Sequence, residues 1–383
     1  MDLQLYLHFP FCRKKCLYCD FCSHAAGDEE MLRYCAALEK EILLMGAKYR
    51  DAEVTTVFLG GGTPSLVPVQ GMDRVLAALR SAFIIRKDAE FTSEANPGTL
   101  RQDWLDCLMK HGMNRLSLGV QATQDRLLKA LGRIHNFDEA SEAFKMAREA
   151  GIRNINMDLM YALPGQTMKD WQETLDTFCG MGPEHISAYS LILEEGTPLY
   201  DMVESGTLCV PDDDMAAEMF LTAREKLQSS GYQQYEISNY AKPGRLCRHN
   251  AGYWEGAWYL GLGVNAHSML PADGEYSWKR CFNEDNTARY MAAVEEKGCA
   301  CAGEEGISRE EAMFETMMLG LRMTKGVEAA RFFARFGAGL EEIWPRELKK
   351  LADEGLGEWE NGFFRLTSRG LLVQNEILMR LMK

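Results

Sequence analysis

The chain has 383 residues, 46% of them hydrophobic, and a formal net charge of −14. That length suits one large domain with one or two smaller ones, and the apolar content excludes a disordered chain. The acidic balance repels phosphate backbones, so nucleic acid is excluded as a default partner, and no apolar run approaches the ~20 residues of a transmembrane segment.

In chain order, the first predicted strand is Leu3–Phe9, and it runs directly into Cys12, Cys16 and Cys19. Further predicted strands are Thr55–Gly60, Glu90–Ala95, Arg115–Gln121, Asn154–Tyr161 and His185–Leu193. Between them lie amphipathic stretches predicted as helices: Glu29–Ala47, Met72–Phe83, Asp138–Ala150 and Lys169–Thr177. Strand–helix repetition predicts parallel strands with helical crossovers. Six such units fit an α/β fold, an incomplete (β/α)6 barrel over 1–195, with its site at the C-terminal ends of the strands. Residues 196–304 are irregular and rich in Gly, Tyr, Trp and Asn, and are expected as an extension packed on the barrel. Residues 305–383 turn helical, with Arg309–Met323, Val327–Phe336 and Arg346–Glu354, then a hairpin around Asn361-Gly362 and a last helix near Thr367. That order is winged-helix-like. Ser308 to Lys383 holds 12 basic and 12 acidic residues, so the wing predicts packing or docking rather than DNA reading.

The C-x3-C-x2-C spacing of Cys12, Cys16 and Cys19 can hold three irons of a [4Fe–4S] cube and leave the fourth open to a small molecule. A zinc knuckle is the competing reading, but zinc sites use paired elements; the nearest candidates for a second pair, Cys22 and His24, are only a few residues away, and no further C-x2-C occurs later in the chain. Arg13, Lys14 and Lys15 in the same loop are expected to favour the thiolates. The remaining cysteines are scattered. With no basic leader or small-residue cleavage site, a reducing, cytoplasmic setting is expected.

The cysteine spacing resembles that of the radical S-adenosylmethionine (SAM) superfamily. That resemblance implies SAM bound at the open iron. It also implies that Gly61, Gly62 and Thr63, in Gly60-Gly-Gly-Thr-Pro, meet the methionine amino group. Glu94 is expected on a ribose diol or ammonium, and Arg133 on the SAM carboxylate. Gln121 and Asp158 end or sit on the fourth and fifth strands, and Tyr6 and Tyr18 match SAM-contacting positions of the family. Each alone reads equally well as a local polar cap; their joint order along the chain carries the weight.

The runs Tyr6-Leu-His-Phe-Pro-Phe-Cys12, Ser117-Leu-Gly-Val-Gln121, Asp158-Leu-Met-Tyr-Ala-Leu-Pro-Gly-Gln166 and Tyr235-Glu-Ile-Ser-Asn-Tyr240 are similar to the oxygen-independent coproporphyrinogen III oxidase-like family. Within it the chain resembles the HemW, or heme chaperone, branch. Phe21 stands where the oxidase branch has a fourth cysteine, with Cys22 one position later, and only five residues precede Tyr6. His249-Asn250-Ala-Gly-Tyr253-Trp254 matches the branch's H-N-x-x-Y-W motif. The resemblance implies His249 as a heme ligand, flanked by Tyr253 and Trp254, with heme as cargo for a respiratory heme enzyme. A homodimer is left open, and His267 and Cys22 are weaker candidates. The alternatives are an oxidative decarboxylation of coproporphyrinogen propionates and an anaerobic radical modification of heme. The chaperone reading ranks above both.

Overall fold

The computed structural model describes every residue except Asp273 and Lys383, the last of which ends the expected third unit. Strand β1 (Asp2–Phe9) fully buries Leu3, Leu5, Leu7 and Phe9. Each such side chain contributes about 1.5–3 kcal/mol before the entropy of ordering is set against it. The chain continues through α1 (Asp28–Lys48), β2 (Glu53–Gly61), α2 (Val69–Ala82), β3 (Ile84–Ala95), α3 (Gln102–Lys110) and β4 (Arg115–Gln121). Then come α4 (Asp125–Ala130), α5 (Phe137–Glu149), β5 (Ile155–Tyr161), α6 (Met168–Met181) and β6 (His185–Ser190). Strands β1 to β6 pair in sequence order, all parallel. Parallel neighbours need long crossovers, and the helices supply them. β1 and β6 do not pair with each other, so the barrel is incomplete as expected.

The extension is more regular than its composition predicts. Helices α7 (Pro198–Glu204) and α8 (Asp213–Ser229) lead to β7 (Gln233–Gln234) and β8 (Asn239–Ala241), and β8 lies antiparallel to β6. Helix α9 (Arg248–Trp254) then packs against β2 and carries the chain to the other edge. There β9 (Tyr259–Leu262) runs parallel to β1, and β10 (His267–Pro271) and β11 (Trp278–Asn283) follow antiparallel. After α10 (Thr287–Lys297), β12 (Cys301–Ile307) completes a 12-stranded sheet, in the order β12-β11-β10-β9-β1-β2-β3-β4-β5-β6-β8-β7. Strands as short as Gln233–Gln234 carry no readable alternation, which is why this half looks irregular in sequence.

The C-terminal unit begins with α11 (Arg309–Gly320), started by a reciprocal Ser308–Glu311 cap. Val327–Phe336 is not the single helix expected: Val327–Glu328 forms β13, and α12 spans Ala329–Phe336. Then follow α13 (Leu340–Ile343), α14 (Pro345–Asp353), β14 (Gly357–Glu360), β15 (Phe363–Leu366), α15 (Ser368–Leu372) and α16 (Gln374–Leu381). The wing therefore has three strands, β13-β15-β14, rather than two. Its hairpin turns on Asn361 and Gly362, both at positive φ (49° and 84°), as an Asn-Gly turn requires. Met317, Phe332, Trp344 and Phe364 form this unit's core, and Met269 and Trp278 of β10 and β11 join it. The terminal unit is thus packed onto the extended sheet.

Candidate functional site

The cysteine loop leaves β1 and is closed by two main-chain bonds. Cys12 N–H donates to His24 O (2.9 Å) and His24 N–H to Pro10 O (2.8 Å). Leu17 N–H reaches Leu131 O (3.0 Å), tying the loop to the end of α4. Cys12 Sγ lies 3.5 Å from Thr63 Oγ1, and Arg133 Nη1 donates to Cys16 Sγ at 3.5 Å. Contrary to the expectation from the flanking lysines and arginine, burial pushes the Cys19 thiol up, and Lys15 opposes this only weakly.

All three thiols face one cavity of about 360 Å³ at the C-terminal ends of the strands. Tyr18, Gly61, Gly62, Thr63, Glu94, Gln121, Arg133 and Asp158 line it with them. Gly62 is required by the main chain: a Cβ there would lie 2.7 Å from Phe9 O and 2.6 Å from Phe11 O. Gly62 N–H donates to Phe9 O and Thr63 N–H to Phe11 O, each at 2.7 Å, and Gly61 N–H donates to Glu94. The turn's donors are therefore spent, and what it can offer an ammonium is carbonyl oxygen.

Glu94 is half-buried and lines the cavity wall. Burial, and then the charge of Asp158, push its carboxyl up to about 8. Burial also raises Asp158, although Asn156 Nδ2 donates to its Oδ1 at 2.7 Å. Arg133 reaches Gly119 O and Cys16 Sγ, yet its Nε is buried with no partner. Gln121, at φ 78°, accepts from Tyr189 Oη at 2.9 Å. Tyr18 lies beside the Arg133 guanidinium, and burial raises its hydroxyl pKa.

Tyr6 and His249 fall elsewhere. Both line a second, inner cavity of about 210 Å³ that shares Glu94, Ser117 and Asp158 with the first. Tyr6 Oη bonds His8 Nδ1 (3.1 Å), and its ring stacks near Phe58. His249 is 1% exposed, with Nδ1 on Thr56 Oγ1 (2.7 Å) and Nε2 on Tyr253 Oη (3.0 Å). Its ring stacks on Phe58 at 5.0 Å, its N–H donates to Glu90 (3.0 Å), and burial pulls its pKa down to about 3. The imidazole expected to ligate heme is a neutral strut inside the barrel, with both nitrogens engaged. The cavity beside it is smaller than the ~300–1,000 Å³ of usual ligand sites.

The radical SAM superfamily model matches residues 6–178, and the HemN C-terminal domain model matches 307–373. "Heme chaperone HemW" of Bacillus subtilis is 36% identical over 97% of this chain and 97% of its own length. The chain is a radical SAM protein of the HemW family. The Escherichia coli protein of the same name is 35% identical over 98% of this chain and 97% of its own. Bovine "Radical S-adenosyl methionine domain-containing protein 1, mitochondrial" is 33% identical over 99% of this chain and 87% of its own. The solved structure of coproporphyrinogen III oxidase (HemN) from Escherichia coli superposes with a TM-score of 0.84, at 24% identity over 99% of this chain and 90% of that one, which establishes the shared fold.

The cavity of this radical SAM protein fits both groups its superfamily implies. A single zinc would draw thiolates to about 3.8 Å from one another, given 2.3 Å bonds in a tetrahedron. Among the described residues, the one trio with ligand atoms all within 4.8 Å is Asp73, Cys107 and His111 on the outer helices, and Cys12, Cys16 and Cys19 stand wider. The wider stance suits the corners of a cube. Arg133, whose buried Nε has no partner and whose other nitrogens reach only Cys16 Sγ and Gly119 O, suits a ligand carboxylate. Tyr189, Ser117 and Asn96 also line the cavity, and the sequence assigns none of them a place in the site. Tyr189 is the last residue but one of the sixth strand, where alternation places every second residue inward, and that is the available signal.

Proposed function

We propose that the chain is a heme chaperone that carries a [4Fe–4S] cluster on Cys12, Cys16 and Cys19, with SAM in the outer cavity. The observation that carries this over the oxidase reading is the small inner chamber. About 210 Å³ lie beside the SAM cavity, walled by Arg115, Asn156, His249 and Tyr253, less than the ~300–1,000 Å³ of usual ligand sites. The full-length relatives named heme chaperone support the same reading.

When bound, the cluster supplies an electron to SAM. The chain's own residues orient and enclose the ligand. Arg133 would pair with its carboxylate, while carbonyl oxygens of the turn containing Gly61 and Gly62 would accept from its ammonium. Glu94, whose carboxyl its surroundings push up to about 8, can donate to a ribose hydroxyl when protonated. Tyr18 and Gln121 close the cavity's side, and Thr63 stands beside Cys12. Asp158 holds the polar floor through Asn156, and Tyr6 backs it from the inner chamber. The division into a barrel (1–195), an extension (196–304) and a terminal unit (305–383), a cytoplasmic setting, a heme-enzyme recipient and a homodimer belong to the same proposal. No helix among the described residues is long and apolar enough to cross a membrane.

Hemin titration of anaerobically reconstituted protein tests the function, beside an assay with coproporphyrinogen III, reductant and SAM. A saturable Soret change without protoporphyrinogen is the expected result. Protoporphyrinogen formation would reverse the ranking.

A further inference from the structure

Outside the barrel, helices α2 and α3 bring three metal-ligating side chains to one point. Cys107 and His111 stand four positions apart at the end of α3, a spacing that puts both on one face of a helix. Asp73, one turn into α2, faces them from the neighbouring helix. Its Oδ1 bonds His111 Nε2 at 2.8 Å and lies 4.0 Å from Cys107 Sγ. The three ligand atoms all lie within 4.8 Å of one another. None of these residues lines the outer or the inner cavity.

The end of α3 is held in place. Arg80, further along α2, donates through Nε to His111 O at 2.9 Å. Its guanidinium fills the space beside Gly112, which sits at φ 89°; a Cβ there would lie 2.0 Å from Arg80 Nη2. Cys107 is 7% exposed and the His111 side chain 11%, so packing fixes both, while Asp73 opens to solvent. Thiolate, imidazole and carboxylate are the donors zinc takes, and three protein ligands leave a fourth position open. A nucleophilic Cys–His–Asp arrangement would use the same residue types. It fails on the thiol: burial, and then the charge of Asp73, push Cys107 up to about 11, far from the thiolate a nucleophile needs. A divalent metal deprotonates its thiol outright.

The geometry points to a zinc site on Asp73, Cys107 and His111, with water in the fourth position, that staples α2 to α3. Bonds of about 2.0–2.1 Å to nitrogen and oxygen and 2.3 Å to sulfur set tetrahedral ligand atoms roughly 3.3–3.6 Å apart. Binding opens the His111–Asp73 contact by about half an ångström and draws the thiol inwards, both within side-chain rotation. One thiol proton leaves to solvent for each ion bound. Lys110 holds the metal-free site closed, with Nζ 3.0 Å from Asp73 Oδ1. Its side chain is 68% exposed, and so loose an ion pair yields to a dication.

The test is zinc affinity, read by competition with a chromophoric chelator, on the full chain carrying its cluster and on C107S, H111A and K110A. Wild type should take up one ion that C107S and H111A each hold about tenfold or more weakly. K110A should bind it about threefold more tightly, a gain that misfolding cannot produce. Cobalt(II) added to C12S/C16S/C19S, which lacks the cluster's colour, should give a near-ultraviolet thiolate-to-cobalt band that adding C107S abolishes. Zinc should raise the Tm of wild type and leave that of C107S where it was. Wild-type zinc affinity in C107S and H111A, an unchanged affinity in K110A, or no uptake below about 100 μM zinc would each overturn the site.

Discussion

Arg133 and His249 are both motif residues, and they line adjoining cavities of the barrel. Arg133 faces the outer cavity with a buried Nε that nothing satisfies. His249 lies inside with Thr56 on one nitrogen and Tyr253 on the other. A buried donor without a partner costs about 1–3 kcal/mol, so it persists where a ligand completes it. A side chain with every valence used already has its role, which is to hold the fold. The difference between a binding residue and a strut is therefore read from unspent hydrogen bonds, not from membership of a motif.

The largest expected effect comes from removing the thiols. The triple variant C12S/C16S/C19S should lose all cluster absorbance after reconstitution and all SAM binding, while keeping hemin affinity. Loss of hemin binding as well would merge the two sites and break the contrast. Next, R133A should weaken SAM binding about 10- to 100-fold with cluster content unchanged, since it removes a charged pair; equilibrium dialysis reads this, and unchanged affinity would move the carboxylate elsewhere. H249A should cost about 2–4 kcal/mol, because Thr56 and Tyr253 are left unpaired around a void. Thermal unfolding would show it as a lower Tm. An unaltered Tm with lost hemin binding would make His249 a ligand after all.

The smallest effect is the pH dependence. The Glu94 carboxyl sits at about 8 against its usual 4.5, so between those values the folded chain keeps a proton that the unfolded chain has released. Stability falls as pH rises through that window. E94Q should flatten part of that decline in SAM-free protein. An E94Q curve parallel to wild type would mean that Glu94 is already ionised.

Much of the barrel is legible because long parallel strands announce themselves. The predicted strand Arg115–Gln121 is β4 residue for residue, and Leu116, Leu118 and Val120 of it are fully buried. Helix α3 escapes because Arg101 at its start offers no side-chain cap, and α4, over Asp125–Ala130, is too short for periodicity. The outer cavity is legible for the same reason as the strands: its residues stand at their ends. The setting of His249 is not, because Thr56 is 193 positions away and nothing in a local motif reports that bond. The Asp73 cluster is hidden likewise, since Asp73 and Cys107 come together from 34 positions apart.

Strand β1 takes hydrogen bonds from β2 on one flank and from β9 on the other, and β9 begins only at Tyr259. A nascent chain leaving the ribosome can thus settle one side of its first strand early, while the other stays bare until Tyr259–Leu262 is made. The cysteine loop grows straight out of that strand, and Cys22 Sγ is tied to Asp285 O (3.3 Å), made later still. Iron and sulfide would therefore be held only once the chain has been made past Asp285; full uptake by chains truncated before Tyr259 would contradict this.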